Sequence, residues 1–159
     1  MSLNLRRASV NDAEACGSIC FEAFKAISSE HNFPWDLPSP EIAIGLIRVL
    51  VAHSGFYGVV AEENAKIIGS NFLDERGPIA GIGPITVDPT VQNQGVGRRL
   101  MLAVLDRAAE RRFAGVRLVQ SAYHNRSLCL YTKLGFETRE PLSKIDGKPL
   151  GLKFPGYDV

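Results

Sequence analysis

Hydrophobic positions along this 159-residue chain change period several times, and each change marks a new element. Leu3 and Leu5 alternate with Asn4 and Arg6, which predicts a strand running to about Ala8. Asn11 or Asp12 can cap the helix that follows, because the apolar positions Ala15/Cys16, Ile19/Cys20, Ala23/Phe24 and Ile27 recur at helical spacing. From Ser28 to Pro40 the chain holds Pro34, Pro38 and Pro40 with Phe33 and Trp35 among them, which forbids regular structure and predicts a loop. Ser39-Pro40 is an N-cap and first-turn pair for a second helix, with Ile42, Leu46, Ile47 and Leu50 on one side.

Phe56–Glu63 and Lys66–Leu73 read as two strands joined by the turn residues Asn64-Ala65, with a loop from Asp74 to Pro78. Ala80–Val87 reads as a third strand, broken by Gly83-Pro84. Proline donates no hydrogen bond, so the strand must bulge or lose a partner there. After Gly97, Leu100, Met101, Val104, Leu105 and Ala108 mark an amphipathic helix to about Arg112. Val116–Val119 is a further strand, Asn125–Lys133 a short helix ended by Gly135, and Phe136–Arg139 the strand after it, to which Leu150–Phe154 can add one more beyond the order that follows. The order β-α-α-β-β-β-α-β-α-β is mixed α+β, with helices covering one central sheet.

Composition narrows the classes. A chain of this length buries a real core without disulfides or metals. Eighteen Lys+Arg stand against 17 Asp+Glu, a net charge of +1, so the total carries no footprint for nucleic acid or a membrane surface. Near-neutrality also argues against highly charged acceptors such as polyamine arrays. Cys16, Cys20 and Cys129 have no repeated spacing, and no His or acidic cluster joins them into a metal site; reduced thiols in a cytoplasmic protein are the expectation. Met1 to Arg7 lacks an apolar run with a cleavage site, and no apolar stretch reaches spanning length.

The chemistry concentrates in Ile85-Thr86-Val87-Asp88-Pro89-Thr90-Val91-Gln92-Asn93-Gln94-Gly95-Val96-Gly97-Arg98-Arg99-Leu100, which runs strand, polar turn, two glycines, helix start. A helix N-terminus exposes unpaired N–H groups and the positive end of the peptide dipoles. Glycines let a phosphate approach the backbone, and Arg98 and Arg99 add cations at the same end. A diphosphate is the natural guest. The P-loop pattern fails because Gly97 is not followed by Lys-Ser/Thr. The dinucleotide fingerprint fails because residue 100 is Leu and Asp88 to Gln94 separate the strand from the glycines.

Val87-x-Pro89-x-x-Gln92-x-x-Gly95-Val96-Gly97-x-x-Leu100 resembles the acetyl-CoA signature of the GNAT superfamily of N-acetyltransferases. Asn125-x-Ser127-x-x-x-Tyr131-x-Lys133-Leu134-Gly135-Phe136 resembles that family's second cofactor segment. The resemblance implies one N-acetyltransferase domain over residues 1–159. Its mostly antiparallel twisted sheet would have six to seven strands and about four flanking helices.

It also implies that pantetheine inserts beside the bulged strand. The backbone of Ile85, Thr86 and Val87 would face the pantetheine arm, with Gln92, Asn93, Gln94, Gly95, Val96, Gly97 and Arg98 around the pyrophosphate and Asn125 and Ser127 completing the cofactor site. Acetyl-CoA is then the acyl donor, no metal is required, and a small-molecule or peptide amine is the acceptor. Tyr131 resembles the family's general acid, since a phenol of pKa about 10 can protonate the departing thiolate.

Several alternatives stay open. Asn125 can serve only as the N-cap of its helix, and Tyr131 can pack beneath the cofactor sulfur without donating. Phe33 and Trp35 can wall an acceptor, with Asp36 facing its amine, or merely cap the core. The broken strand holds no glutamate to take the amine proton. Glu62, Glu63, Asp74, Glu75 and Asp36 are distant candidates, and Tyr123 and His124 adjoin Asn125. That missing carboxylate motivates a rival reading, a non-catalytic acyl-CoA sensor of the same fold. The tail from Glu140 to Val159, with Pro141, Pro149 and Pro155, can close the sheet edge, pair two copies as a homodimer or lead into a further domain.

Overall fold

The computed structural model describes residues 3–143, so the strand expected at Leu150–Phe154 and most of the tail lie outside the described residues. The elements follow the order β1 (Asn4–Arg7), α1 (Ala13–Glu30), α2 (Pro40–Ala52), β2 (Phe56–Glu63), β3 (Lys66–Asp74), β4 (Ala80–Ile82), β5 (Thr86–Val87), α3 (Val96–Glu110), β6 (Val116–Arg117) and α4 (Asn125–Lys133). The sheet order is β1-β2-β3-β4-β6, with β5 also on β3. All pairings are antiparallel except β4 with β6. This is the expected α+β architecture, with six strands and four helices.

Strand alternation sorts the side chains into two layers. Val59, Ala61 and Leu73 face one way, into a cluster with Leu100, Met101 and Val104 of α3 and Tyr131 of α4. Val60 and Phe72 face the other way, among Cys16 and Cys20 of α1 and Ile47 and Leu50 of α2. Between Ala61 and Glu62 the β2–β3 register shifts, Ala61 facing Gly69 but Glu62 facing Ile67. The extra residue, Ile68, thereby joins the same cluster as Ala61. Asn64 and Ala65 close this hairpin with φ of 51° and 61°, the sign that a tight two-residue turn demands.

The start of α1 is fastened by charge. Asp12 caps the turn preceding it, accepting from the Ser9 N–H at 2.7 Å and the Ser9 hydroxyl at 2.9 Å. Both its oxygens also receive the Arg6 guanidinium at 2.8 Å, and Arg6 reaches on to Glu62. The Arg6 bonds hold the buried Asp12 carboxyl down at about 2, against the opposing cost of burial.

Several expectations need correction. Helix α1 runs on to Glu30, one turn into the expected Ser28–Pro40 loop, because Ser28 is fully buried and no proline occurs before Pro34. On α2 the buried side is Ala43, Ile47 and Leu50, while Ile42 and Leu46 are exposed; the helix is apolar nearly all round, so periodicity alone does not select its inner face. Strand β6 stops at Arg117 instead of Val119, since β4 leaves it after Gly81. No strand forms at Phe136–Arg139. The Phe136 N–H bonds the Tyr131 carbonyl at 3.0 Å, spending on the end of α4 what a sheet neighbour would have taken.

Helices α1 and α2 cross so closely that a Cβ on Gly17 would fall on the Ile44 backbone, 2.8 Å from its nitrogen. A Cβ on Gly45 would meet nothing within 4 Å. Gly17→Ala is therefore expected to destabilise the fold by about 1–3 kcal/mol. By contrast, Gly45→Ala should stabilise it by up to about 1 kcal/mol through helix propensity. Urea unfolding of the two variants checks this, and equal midpoints would refute the close crossing.

Candidate active site

The site begins with a defect in the sheet. Leu73 of β3 faces Ile82 of β4, but Ser70 faces Thr86 of β5, so three steps along β3 answer four along its partner. The extra residue lies between Gly83 and Ile85, where Pro84 has no N–H to offer the ladder. Beyond the defect, the Asp88 N–H bonds the Ile68 carbonyl at 2.9 Å, so Thr86 and Asp88 turn their backbone groups toward β3. Those of Ile85 and Val87 consequently point away from β3. On that side β6 has already ended, and the two strands splay.

A cavity of about 790 Å³ opens at this splay. Its wall takes Ala23, Phe24, Ile27 and Glu30 from α1, Val96 to Arg98 from α3, and Ser127, Leu130, Tyr131 and Lys133 from α4. Since α1 and α3 cover opposite faces of the sheet, the cavity passes through it. Leu118, Val119 and Gln120 line the parted edge, and Val119 is 77% exposed, an apolar side chain left bare inside a cleft.

The helix-start end of the cavity is built for an anion. Asn93 and Gly95 adopt φ of 65° and 83°, left-handed turns that swing successive N–H groups to one side. The first hydrogen bond of α3 runs from the Arg99 N–H to the Gly95 carbonyl, leaving the N–H groups of Val96, Gly97 and Arg98 free. Gln92 does not stand free; its amide donates to the Val87 carbonyl at 3.0 Å and fixes the loop against β5. Arg98 lines the cavity, whereas Arg99 turns away to the Leu3 carbonyl at 2.9 Å, so it adds no cation here. Arg126 and Lys133 supply two cations not singled out from the sequence.

On α4, Tyr131 is buried, and burial pushes its phenol above the usual range, with the Ser127 hydroxyl opposing. It is therefore protonated at neutral pH. The Ser127 hydroxyl lies 2.9 Å from the His124 carbonyl and 3.2 Å from Gln120 Oε1, two acceptors that share its single proton. The N-cap of α4 is His124, not Asn125: its Nδ1 accepts the Ser127 N–H at 3.4 Å. Asn125 is exposed at the first helical position, and neither it nor Gln94 is part of the cavity wall. The structure brings together Ile85, Thr86, Val87, Gln92, Asn93, Gly95, Val96, Gly97, Arg98, Ser127 and Tyr131.

None of the distant acids reaches this cavity. Glu62 pairs with Arg6, Asp74 with Arg76, and Glu75 with Arg107 and Arg111, while Glu63 and the exposed Asp36 stand outside the wall. Glu30 is the one carboxylate in the wall among the described residues, missed because the sequence places it in a loop. Phe33 stacks on Tyr123 at 4.3 Å, and Trp35 meets Phe21 edge-on while donating to Ser29. Both therefore brace the α1–α2 connection instead of walling the cavity. Tyr123 is held from its other ring neighbour, His31, and bonds Ser28 at 3.2 Å.

Residues 53–138, just over half of the chain, match the family model of the acetyltransferase (GNAT) domain. The chain belongs to the GNAT acetyltransferase family. It is similar to the mycothiol acetyltransferase of Nocardia farcinica (strain IFM 10152), 40% identical over 63 residues that cover 40% of this chain and 21% of that one. It is also similar to the IAA acetyltransferase of Azospirillum brasilense, 27% identical over 96 residues, covering 59% and 63%. The chain thus spans about a fifth of the Nocardia protein's length and under two thirds of the Azospirillum one. The crystal structure of the PaiA N-acetyltransferase from Thermoplasma acidophilum in complex with coenzyme A superposes with a TM-score of 0.74 at 18% identity, over 89% of this chain and 93% of that one, a likeness of fold.

His124 couples this site to pH. Burial, then Arg126, lowers its pKa from the ordinary 6.5, with His31 acting the same way and Glu30 opposing. The folded state favours the neutral ring that can accept from Ser127, so the unfolded chain binds the extra proton and stability falls as pH drops below about 6.5. His124→Asn, which caps without titrating, is expected to flatten the decline of melting temperature between pH 7 and 5.5. Parallel melting curves for both proteins would exclude the effect.

Proposed function

We propose that this chain transfers the acetyl group of acetyl-CoA to a primary amine of a small molecule. The observation that carries the reading is the cavity through the sheet, with free main-chain N–H groups at one end and Tyr131 in its wall. The residues fit the donor: Gly95 to Arg98 would receive its pyrophosphate, and the outward backbone of Ile85 and Val87 its amide-bearing arm. Gln92 already holds one of those acceptors, the Val87 carbonyl, and sets the loop's position. Thr86 contributes its neighbours' orientation more than a contact, since its own backbone is spent on β3. Ser127 lines the same cavity, whereas Asn125 and Gln94 stand outside its wall and carry no part of this reading.

Acetyl-CoA supplies an activated thioester. An amine near pKa 10.4 is protonated at neutral pH, so it must first give one proton to water at the open end of the cavity. Its nitrogen then attacks the carbonyl carbon to give a tetrahedral intermediate, whose collapse breaks the carbon–sulfur bond. Tyr131 delivers its phenolic proton to the sulfur and regains one from the nitrogen, leaving the amide and free thiol. Burial that keeps Tyr131 protonated also raises the basicity of a nearby thiolate, so the transfer is not blocked by the phenol's higher pKa. The relatives named for mycothiol and IAA favour a small molecule over a peptide as acceptor.

Tyr131→Phe is expected to lower amine acetylation by about 10²-fold while leaving the dissociation constant of CoA within about twofold. Thiol release over an amine panel and calorimetry with CoA read the two quantities. Unchanged turnover would remove Tyr131 from the chemistry, and a wild type that binds CoA but acetylates no amine would favour the sensor reading. Separately, Arg98→Glu should weaken CoA binding by about tenfold or more at low salt, less so at high salt. Equal affinity at every salt concentration would contradict the anion site.

A further inference from the structure

The two ends of the cavity differ in charge. Arg98, Arg126 and Lys133 all stand on α3 and α4, whereas the α1 wall consists of Ala23, Phe24, Ala26 and Ile27 and ends at Glu30. Ala23, Ile27 and Glu30 fall at helical spacing, so the carboxylate sits at the end of an apolar stripe that looks into the cavity. The Glu30 carboxylate is exposed, and the titratable group it is seen to act on is the His124 ring in the same wall. Glu30 lies in the last turn of α1, where the helix carries partial negative charge, and it makes no ion pair among the described residues. A cation brought by a ligand would satisfy both the helix end and the carboxylate.

Resting on the acetyl-transfer reading, we propose that the α1 end of the cavity is the acceptor subsite, selecting primary amines that carry a single positive charge on an apolar or aryl body. Glu30 receives the ammonium, and Phe24 and Ile27 receive the body. A zwitterionic acceptor would set its own carboxylate against Glu30. A polyamine would find no second acid, and its further charges would face Arg98, Arg126 and Lys133. Small Ala23 and Ala26 leave the width an aryl ring needs. Glu30 is thereby a specificity determinant, and the amine sheds its proton to water before attack, as above.

The test compares phenethylamine, spermidine and β-alanine as acceptors with acetyl-CoA. Wild type is expected to show kcat/KM for phenethylamine at least tenfold above the other two. Glu30→Gln should raise the phenethylamine KM about tenfold and erase most of that preference, with the calorimetric CoA dissociation constant unchanged. Glu22→Gln removes the same charge from an exposed position of α1 outside the cavity wall and should change neither quantity. Equal kcat/KM for the three amines, failure to acetylate phenethylamine by a wild type that binds CoA, or a wild-type KM in Glu30→Gln would overturn the subsite alone. Failure of the wild type to bind CoA would overturn the acetyl-transfer reading beneath it.

Discussion

An extra residue in the strand between Gly81 and Val87 forces a choice that the rest of the molecule accommodates. Strand β3 keeps a partner on both sides of the defect, first β4 and then β5; between them the Gly83 N–H reaches the Phe72 carbonyl and the Phe72 N–H turns to Asn71 Oδ1, and the middle of the strand stays buried. The cost falls on the other edge. Once the register slips, β5 no longer lies alongside β6; the Val87 carbonyl takes the Gln92 amide, while the Ile85 N–H and carbonyl and the Val87 N–H face the cleft. In a closed core such orphaned groups would each cost on the order of 1–3 kcal/mol. Here they border an open cavity, where solvent reaches them and no such cost arises.

The helices then divide the work according to which face of the sheet they cover. On one face, α3 points its N-terminus at the cleft and α4 brings Tyr131 and two cations; on the other, α1 brings an apolar stripe and a carboxylate. A gap in the sheet joins the two faces, so one cavity is lined from both. Loop geometry matters as much as charge. Left-handed turns at Asn93 and Gly95, and the Gln92 bond to Val87, fix free N–H groups in direction, so binding there orders little that is not already ordered.

A second set of contacts ties the end of α1 to the start of α4. Tyr123 is stacked between His31 and Phe33 and bonded to Ser28, while the next residue, His124, caps the helix that carries Tyr131. Aromatic residues of the α1–α2 connection thus act as a brace between α1 and α4. Their exposure is consistent with that position at the rim, and it explains why they are absent from the cavity wall.

Much of this was legible in one dimension because it depends on local chemistry. Turn residues at Asn64-Ala65, the proline and glycine that break the strand, the glycines at the start of α3 and the cap at Ser39 act through their own backbone preferences, so α2, the hairpin, the broken strand and the loop into α3 could be placed from residues 39 to 100 alone. Tyr131 and Ser127 entered through a resemblance and were then found in the wall. What the sequence could not decide depends on distance across the fold. Which side of the apolar α2 is buried, where β6 ends, whether Arg98 or Arg99 faces the site and whether His124 or Asn125 caps α4 are settled by neighbours far along the chain. Glu30 is the clearest case: the proline-rich stretch from Ser28 to Pro40 places it in a loop, and only the extension of α1 to Glu30 and the packing of that helix against the gap in the sheet put it, still exposed, in the cavity wall.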